Sequence, residues 1–140
     1  MFQLDPRLQR DTIHLGRFPL SRLLLMNEST YPWFILVPER AGIREIHHLS
    51  EPDRLQLWRE SAQLSRWLEE AFACDKLNVA ALGNIVSQLH LHHVARRQGD
   101  PAWPGPVWGF RPAVPYPPEE IDRIRMLVRN GLAGDLVNIV

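Results

Sequence analysis

The sequence predicts an α+β fold, in which an antiparallel sheet packs against one long helix and a C-terminal helix. Three observations predict this class. Short apolar runs bounded by Pro, Gly or Asn recur along the chain, as is typical of strands. Two longer segments, after Ser50 and after Pro117, have the apolar spacing of helices. Short turns join most of the strand segments, which favours antiparallel pairing. A length of 140 residues predicts one domain over 1–140.

Five segments have the composition of strands. The clearest is Trp33–Val37, a continuous apolar run that Pro38 closes. The pair Gly83-Asn84 supplies a turn between the last two strands. The other four segments are Thr12–Phe18, Leu20–Met26, Leu77–Leu82 and Gln88–Arg96.

The long helix is predicted from about Ser50 to about Ala73. Ser50 is a suitable N-cap, and Glu51 and Pro52 suit the first turn. Apolar residues then recur at roughly 3.6-residue spacing, which indicates one buried face. The second helix is predicted over Pro118–Leu132.

A Pro-rich loop is predicted at about 98–118. Seven of the 12 prolines fall in this stretch, which excludes a helix or an interior strand because proline lacks the backbone donor. Trp103 and Trp108 in the same stretch indicate an ordered loop that packs on the domain. Closing a ligand pocket is the alternative role of the two tryptophans.

Composition excludes several classes of protein. Sixteen basic residues balance 16 acidic ones, so the chain is not a generic electrostatic binder of nucleic acid. No apolar run approaches the ~20 residues that a membrane helix needs. The N-terminal segment lacks the apolar core of a signal peptide, and a lone cysteine fits a reducing compartment. We therefore expect a cytoplasmic protein without a membrane partner.

The segment Gln88–Arg96 carries the chemistry. Side chains alternate faces along a strand, so Gln88, His90 and His92 are expected on one face. Leu89, Leu91 and His93 are expected on the other face, with the two leucines in the core.

Two chemical interpretations of this strand compete with a merely solvated polar face. Two imidazoles at i and i+2 can bind a metal, with a third ligand from His14, His47 or His48. Alternatively, a neutral imidazole can attack phosphorus, and the second imidazole can hold the phosphate or the leaving group.

The stretch Gln88–Val94 resembles the motif of the histidine triad family. Asn27 ahead of the run Trp33–Pro38 resembles the nucleotide-pocket strand of that family, and Asn78 and Gly83-Asn84 match polar positions ahead of the triad. The resemblance covers roughly residues 10–97. The stretch 100–109 is similar to a bacterial branch whose members are often labelled diadenosine polyphosphate hydrolase-like.

The resemblance implies a function. His90 falls on the nucleophile of the family and His92 on the third histidine, which binds the reacting phosphate. Gln88 replaces the first histidine, whose role is to support its neighbours by hydrogen bonding. The implied reaction is attack at the α-phosphate of a nucleotide conjugate through a nucleotidyl-histidine. No metal cofactor is required, although magnesium can accompany the nucleotide. A homodimer joined through the long helix is also implied.

The resemblance also implies the nucleotide-binding residues. Asn27 would hold the ribose hydroxyls, with a turn residue as the alternative role. Neighbouring apolar residues such as Leu25 and Leu24 would pack on the base. Trp33 stands where relatives often have a fourth histidine, and Asn84 would serve the leaving group. Asn78 is a further polar position, and we expect His93 to be structural. Because two family histidines are replaced, a nucleotide sensor with negligible turnover remains an alternative. A metalloprotein that uses His90 and His92 as ligands is the other.

Overall fold

The computed structural model describes residues 1–140 and confirms the α+β class. A six-stranded sheet has the strand order β4-β5-β3-β2-β1-β6, and every neighbouring pair is antiparallel. The strands are β1 Thr12–Arg17, β2 Ser21–Met26, β3 Trp33–Pro38, β4 Lys76–Ala81, β5 Leu91–Arg96 and β6 Asn138–Ile139. The helices are α1 Pro6–Asp11, α2 Glu51–Phe72 and α3 Pro118–Leu132, with a 3-10 turn at Ile46–His48.

Helix α2 begins and ends where the sequence predicts. The Ser50 hydroxyl accepts a hydrogen bond from the backbone N–H of Asp53 at 3.3 Å, which satisfies an otherwise unpaired donor of the first turn. The helix ends at Ala73, whose φ of 48° is left-handed. Helix α3 also has its predicted bounds. None of the helices combines the length and the apolar composition needed to cross a membrane.

One face of the sheet packs against α2 and α3. Leu64, Trp67 and Leu68 of α2 meet Ile124 and Val128 of α3 in this core. Gly131 permits the close approach, because a Cβ there would collide with the indole of Trp67. Burial of these large apolar side chains stabilises the fold by about 1.5–3 kcal/mol each before entropy is counted.

The opposite face of the sheet is covered by the N-terminal segment and the Pro-rich loop. Leu24, Ile35 and Val94 of the sheet form a second apolar cluster with Leu8 of α1. Trp108 of the loop packs at its margin. The candidate site lies on this face, so these two irregular coverings form its walls.

Three features of the fold differ from the sequence-based predictions. Helix α1 and strand β6 were not predicted, since both are too short for a periodic pattern. The Asp5-Pro6 pair nevertheless signals α1, because the Asp5 carboxylate accepts from the N–H of Arg7 at 2.8 Å. Strand β5 begins at Leu91 and not at Gln88, because the residues ahead of it bond to loops; the N–H of Leu89, for example, donates to Ile43.

Candidate active site

Two adjoining cavities mark the site on the loop-covered face of the sheet. A cavity of about 360 Å³ contains His90, His92, Arg7, Asn84 and Trp108 in its wall. A second cavity, of about 630 Å³, is lined by Asn27 and by residues of the Pro-rich loop. Asp11, Met26, Ile85 and Gly109 line both, so the two cavities adjoin.

The backbone orients the ring of His90. Its Nδ1 lies 2.7 Å from the carbonyl oxygen of Gln88, which can only accept, so Nδ1 carries the proton. Nε2 of the neutral ring is therefore left with its lone pair. His90 is 5% exposed and lines the cavity, so the ring is largely shielded from bulk water.

His92 lies beside His90 on the same face, as strand alternation predicts. The two ring centroids are 4.8 Å apart. The indole Nε1 of Trp33 donates a hydrogen bond to Nδ1 of His92 at 3.0 Å. Burial, together with the charges that His90 and His93 can carry, lowers the pKa of His92 from 6.5 to about 3. The ring of His92 is therefore neutral at neutral pH.

The amide of Gln88 holds the N-terminal segment and does not bond to an imidazole. Its Oε1 accepts from the N–H of Asp5 at 2.9 Å, and its Nε2 donates to the carbonyl of Gln3 at 2.8 Å. The expected support of the triad thus comes from the backbone carbonyl of Gln88, not from its side chain. The side chain instead seats α1 at the wall of the cavity.

Arg7 of α1 is the basic group that this seating brings to the histidines. Its guanidinium donates to the carbonyl of Ile85 at 2.9 Å and pairs with Asp5 at 3.0 Å. Its side chain is about half exposed, at 47%. Arg7 lies ahead of residues 10–97, over which the family resemblance was drawn. The only sequence signal near it is the helix start at Asp5-Pro6.

Asn27 lines the larger cavity, and its oxygen is already engaged. Oδ1 accepts from the N–H of Tyr116 at 2.8 Å, which docks the Pro-rich loop on the β2–β3 connection. Glu28 accepts in the same way from Val114 at 2.6 Å. The amide N–H groups of Asn27 remain available to a ligand in the cavity.

Leu25 does not face this site. It is fully buried on the opposite face of the sheet, in the core beneath α2 and α3. Strand alternation assigns the site face to Leu24 and Met26, and Met26 lines both cavities. Met26 therefore replaces Leu25 as the apolar candidate for contact with a base.

Asn78 is also outside the site. Its Oδ1 accepts from Arg96 at 2.8 Å, and the same buried guanidinium binds both carboxylate oxygens of Asp100. Asn78 thus supports the ion pair at the start of the Pro-rich loop. Asn84, in contrast, is exposed and lines the cavity that contains the histidines.

Trp33 lies at the site but cannot offer its polar atom to a phosphate. Its indole N–H is used by His92, and the ring is 7% exposed. Trp108 packs against both of them, with ring centroids 5.8 Å from Trp33 and 5.3 Å from His92. Sequence reasoning favoured simple loop packing for Trp108, whereas the structure places it in the cavity wall.

The remaining histidines lie in other environments. His93 faces α2, where its Nε2 lies 2.7 Å from the hydroxyl of Ser61 and its Nδ1 lies 3.1 Å from the carbonyl of Leu91. His14 is on β1, and His47 and His48 are in the 3-10 turn. No group of three or more His, Cys, Asp or Glu side chains is arranged to hold a metal ion.

The fold and the site define a class of protein: an antiparallel sheet with two adjacent imidazoles beside a nucleotide-sized cavity. A model of the HIT domain matches residues 7–99, and the chain therefore belongs to the histidine triad family, whose members bind nucleotides. A comparison with curated proteins found no match.

Solved structures agree with this assignment. A histidine triad protein from Marinobacter aquaeolei VT8 is 52% identical, with a TM-score of 0.94, over 96% of this chain and 98% of that one. Another from Sinorhizobium meliloti 1021 is 46% identical, with a TM-score of 0.92, over 94% and 98%. A third, from Bradyrhizobium japonicum, is 45% identical, with a TM-score of 0.91, over 93% and 97%.

Proposed function

We propose that the protein is a nucleotide hydrolase or nucleotidyl transferase that acts at the α-phosphate of nucleotide conjugates such as dinucleoside polyphosphates. One observation carries the proposal. In the neutral ring of His90, the 2.7 Å hydrogen bond from Nδ1 to the Gln88 carbonyl places the free lone pair on Nε2, and this ring lines the cavity. An imidazole held in this way is suited to attack on phosphorus.

The reaction has two steps. The Nε2 lone pair forms a nitrogen–phosphorus bond while the bond from phosphorus to the leaving-group oxygen breaks, and that oxygen keeps the electron pair. Water then attacks the nucleotidyl-histidine, its oxygen stays on phosphorus, and His90 regains its lone pair. The net products are a nucleoside monophosphate and the protonated leaving group. In a transferase, the hydroxyl of an acceptor takes the place of water.

The cavities supply two kinds of contact for such a substrate. The larger cavity offers the N–H groups of Asn27 and the side chain of Met26 to a ribose and a base. Arg7 lies on the cavity wall beside the histidines, where a guanidinium can meet the phosphates of the leaving group. Asn84 lines the same wall. The chemistry of His90 requires no metal, and magnesium would arrive with the nucleotide.

We also propose that the protein is a cytoplasmic homodimer that uses α2. Trp67 of this helix is buried in the core, whereas Trp58 and Leu55 are 60% and 52% exposed. An exposed tryptophan and leucine three residues apart lie on one side of a helix. A second copy of the chain would remove this apolar surface from water.

Substitution of His90 tests the proposed reaction. We expect His90→Ala to abolish turnover of dinucleoside polyphosphates while nucleoside monophosphate binding stays nearly intact, because the imidazole bonds to phosphorus only during the reaction. His47→Ala, the same change at an exposed histidine, is the matched control. When the reaction with a labelled nucleotide is quenched with base, we expect to trap an adduct on His90 that is stable in base and labile in acid. Nucleotide binding by the wild type without turnover or adduct would instead support the sensor.

A further inference from the structure

The hydrogen bond between Trp33 and His92 determines where the proton of His92 lies. An indole N–H can only donate, because its nitrogen lone pair belongs to the aromatic system. Trp33 Nε1 lies 3.0 Å from Nδ1 of His92, so Nδ1 must be the acceptor. The proton of the neutral imidazole is therefore on Nε2.

We propose that Trp33 is a positioning residue that holds His92 as a neutral ring with its proton on Nε2. His92 then offers a hydrogen-bond donor, and not a positive charge, to the reacting phosphate. This inference rests on the proposed function for its substrate, but the tautomer itself is a property of the free protein.

The surroundings of Nε2 support this role. Nε2 of His92 has no hydrogen-bond partner within the protein and is not fully buried, so it is open to the cavity. The rings of Trp33, Trp108 and His90 all contact that of His92 edge-on, and they restrict its rotation. The orientation of the Nε2 donor is thus determined by three neighbouring rings.

The two catalytic imidazoles consequently carry opposite tautomers. In His90 the proton is on Nδ1 and the lone pair on Nε2, because the Gln88 carbonyl accepts at 2.7 Å. In His92 the lone pair is on Nδ1 and the proton on Nε2, because the indole donates. Nε2 of His90 can therefore act as the nucleophile while Nε2 of the neighbouring His92 acts as a hydrogen-bond donor.

The same contact opposes protonation of His92. A second proton would have to sit on Nδ1, where it would meet the N–H of Trp33 and break the hydrogen bond. The other titratable groups around the ring are His90 beside it and His93 on the opposite strand face. Arg7 with its partner Asp5, and Asp11, lie at the wall of the same cavity. No carboxylate hydrogen-bonds to His92, so no neighbouring group stabilises a charged ring.

Nitrogen NMR of the unliganded protein tests the proposal without any turnover. In wild type labelled with ¹⁵N at histidine and tryptophan, we expect the proton of His92 on Nε2. We also expect a coupling through the hydrogen bond between Trp33 Nε1 and His92 Nδ1. In Trp33→Phe the coupling disappears, both tautomers are populated, and His92 titrates at higher pH. We expect kcat to fall about tenfold or more, with monophosphate affinity unchanged within about twofold.

Trp58→Phe, the same substitution at an exposed site, is the matched control for both measurements. A proton on Nδ1 of wild-type His92, or an unchanged tautomer and pH profile in Trp33→Phe, would overturn the proposal. Should Trp33→Phe not fold, the wild-type spectrum decides, since absence of the coupling also overturns it. An intact coupling in a protein that forms no adduct would refute the proposed reaction but leave the role of Trp33 standing.

Discussion

Acidification should weaken the fold through His93, a histidine on the far side of the sheet from the candidate active site. His93 is fully buried between β5 and α2, where Nδ1 donates to the carbonyl of Leu91 and Nε2 accepts from the hydroxyl of Ser61. Both nitrogens are satisfied in the neutral ring, and a charge on the ring would lie in the apolar core. Burial accordingly lowers the pKa of His93 from 6.5 to about 4.

The sign and size of the effect follow from linkage. A histidine whose pKa is depressed by folding contributes fully above the unfolded pKa, and its contribution is lost as pH falls toward the folded pKa. As the pH falls from 6.5 to about 4, the free energy of unfolding decreases by ~1.36 kcal/mol for each pH unit, which amounts to about 3 kcal/mol by pH 4. Acidification from pH 7 to pH 4 should therefore remove about 3 kcal/mol of the free energy of unfolding through this residue alone.

The double variant Ser61→Ala/His93→Leu isolates this contribution. It removes the imidazole and the Ser61 hydroxyl together, so neither side chain leaves the other unpaired, and the loss of the donor to the Leu91 carbonyl is the same at every pH. Urea unfolding followed by tryptophan fluorescence at several pH values, at one protein concentration, measures the free energy of unfolding. The wild type should lose about 3 kcal/mol more than the variant between pH 7 and pH 4, since His92 and the carboxylates titrate in both. Equal losses in the two proteins would refute the reasoning.

Two further predictions concern the proposed ligand and partner. Asn27→Ala should weaken binding of a ribonucleotide by about tenfold, to an affinity close to that of its 2′-deoxy analogue, because the ribose hydroxyl loses the amide N–H groups that bind it. Isothermal titration of both nucleotides measures this, and equal affinities of the wild type for the two would remove Asn27 from the site. Trp58→Lys should convert a dimer into a monomer, which light scattering detects as a fall to 16.2 kDa; a wild type already at that mass contradicts the proposed dimer.

Strand periodicity predicted which histidines meet, because alternation depends only on sequence position. It places His90 and His92 on one face and His93 on the other, and the structure agrees. The same rule, applied to β2, would have chosen Met26 and not Leu25. The error arose because apolar residues fill both faces of that buried strand, so composition alone did not distinguish them.

Tertiary contacts that join distant segments were beyond prediction. The bonds of Gln88 cross 83 and 85 residues of sequence to reach Asp5 and Gln3, and no local pattern encodes them. Glu60 of α2 is similar: it is fully buried and accepts from the N–H groups of Leu20 and Ser21 across 40 and 39 residues. A glutamate in an amphipathic helix is ordinarily expected on the solvent side, so its role emerges only in the structure.

The two replaced family histidines bear on a single problem, which is the control of protonation. Gln88 and Trp33 cannot titrate near neutral pH, and each contributes one group of fixed polarity: a backbone carbonyl that accepts from His90, and an indole that donates to His92. Two imidazoles therefore remain at the cavity, and each has its proton assigned by a partner that cannot reverse the direction of the hydrogen bond. On the proposed mechanism this arrangement supplies a nucleophile and a phosphate donor at the same pH. The absence of two family imidazoles is thus compatible with turnover. Gln88 and Trp33 orient His90 and His92, and neither can exchange a proton with these rings near neutral pH.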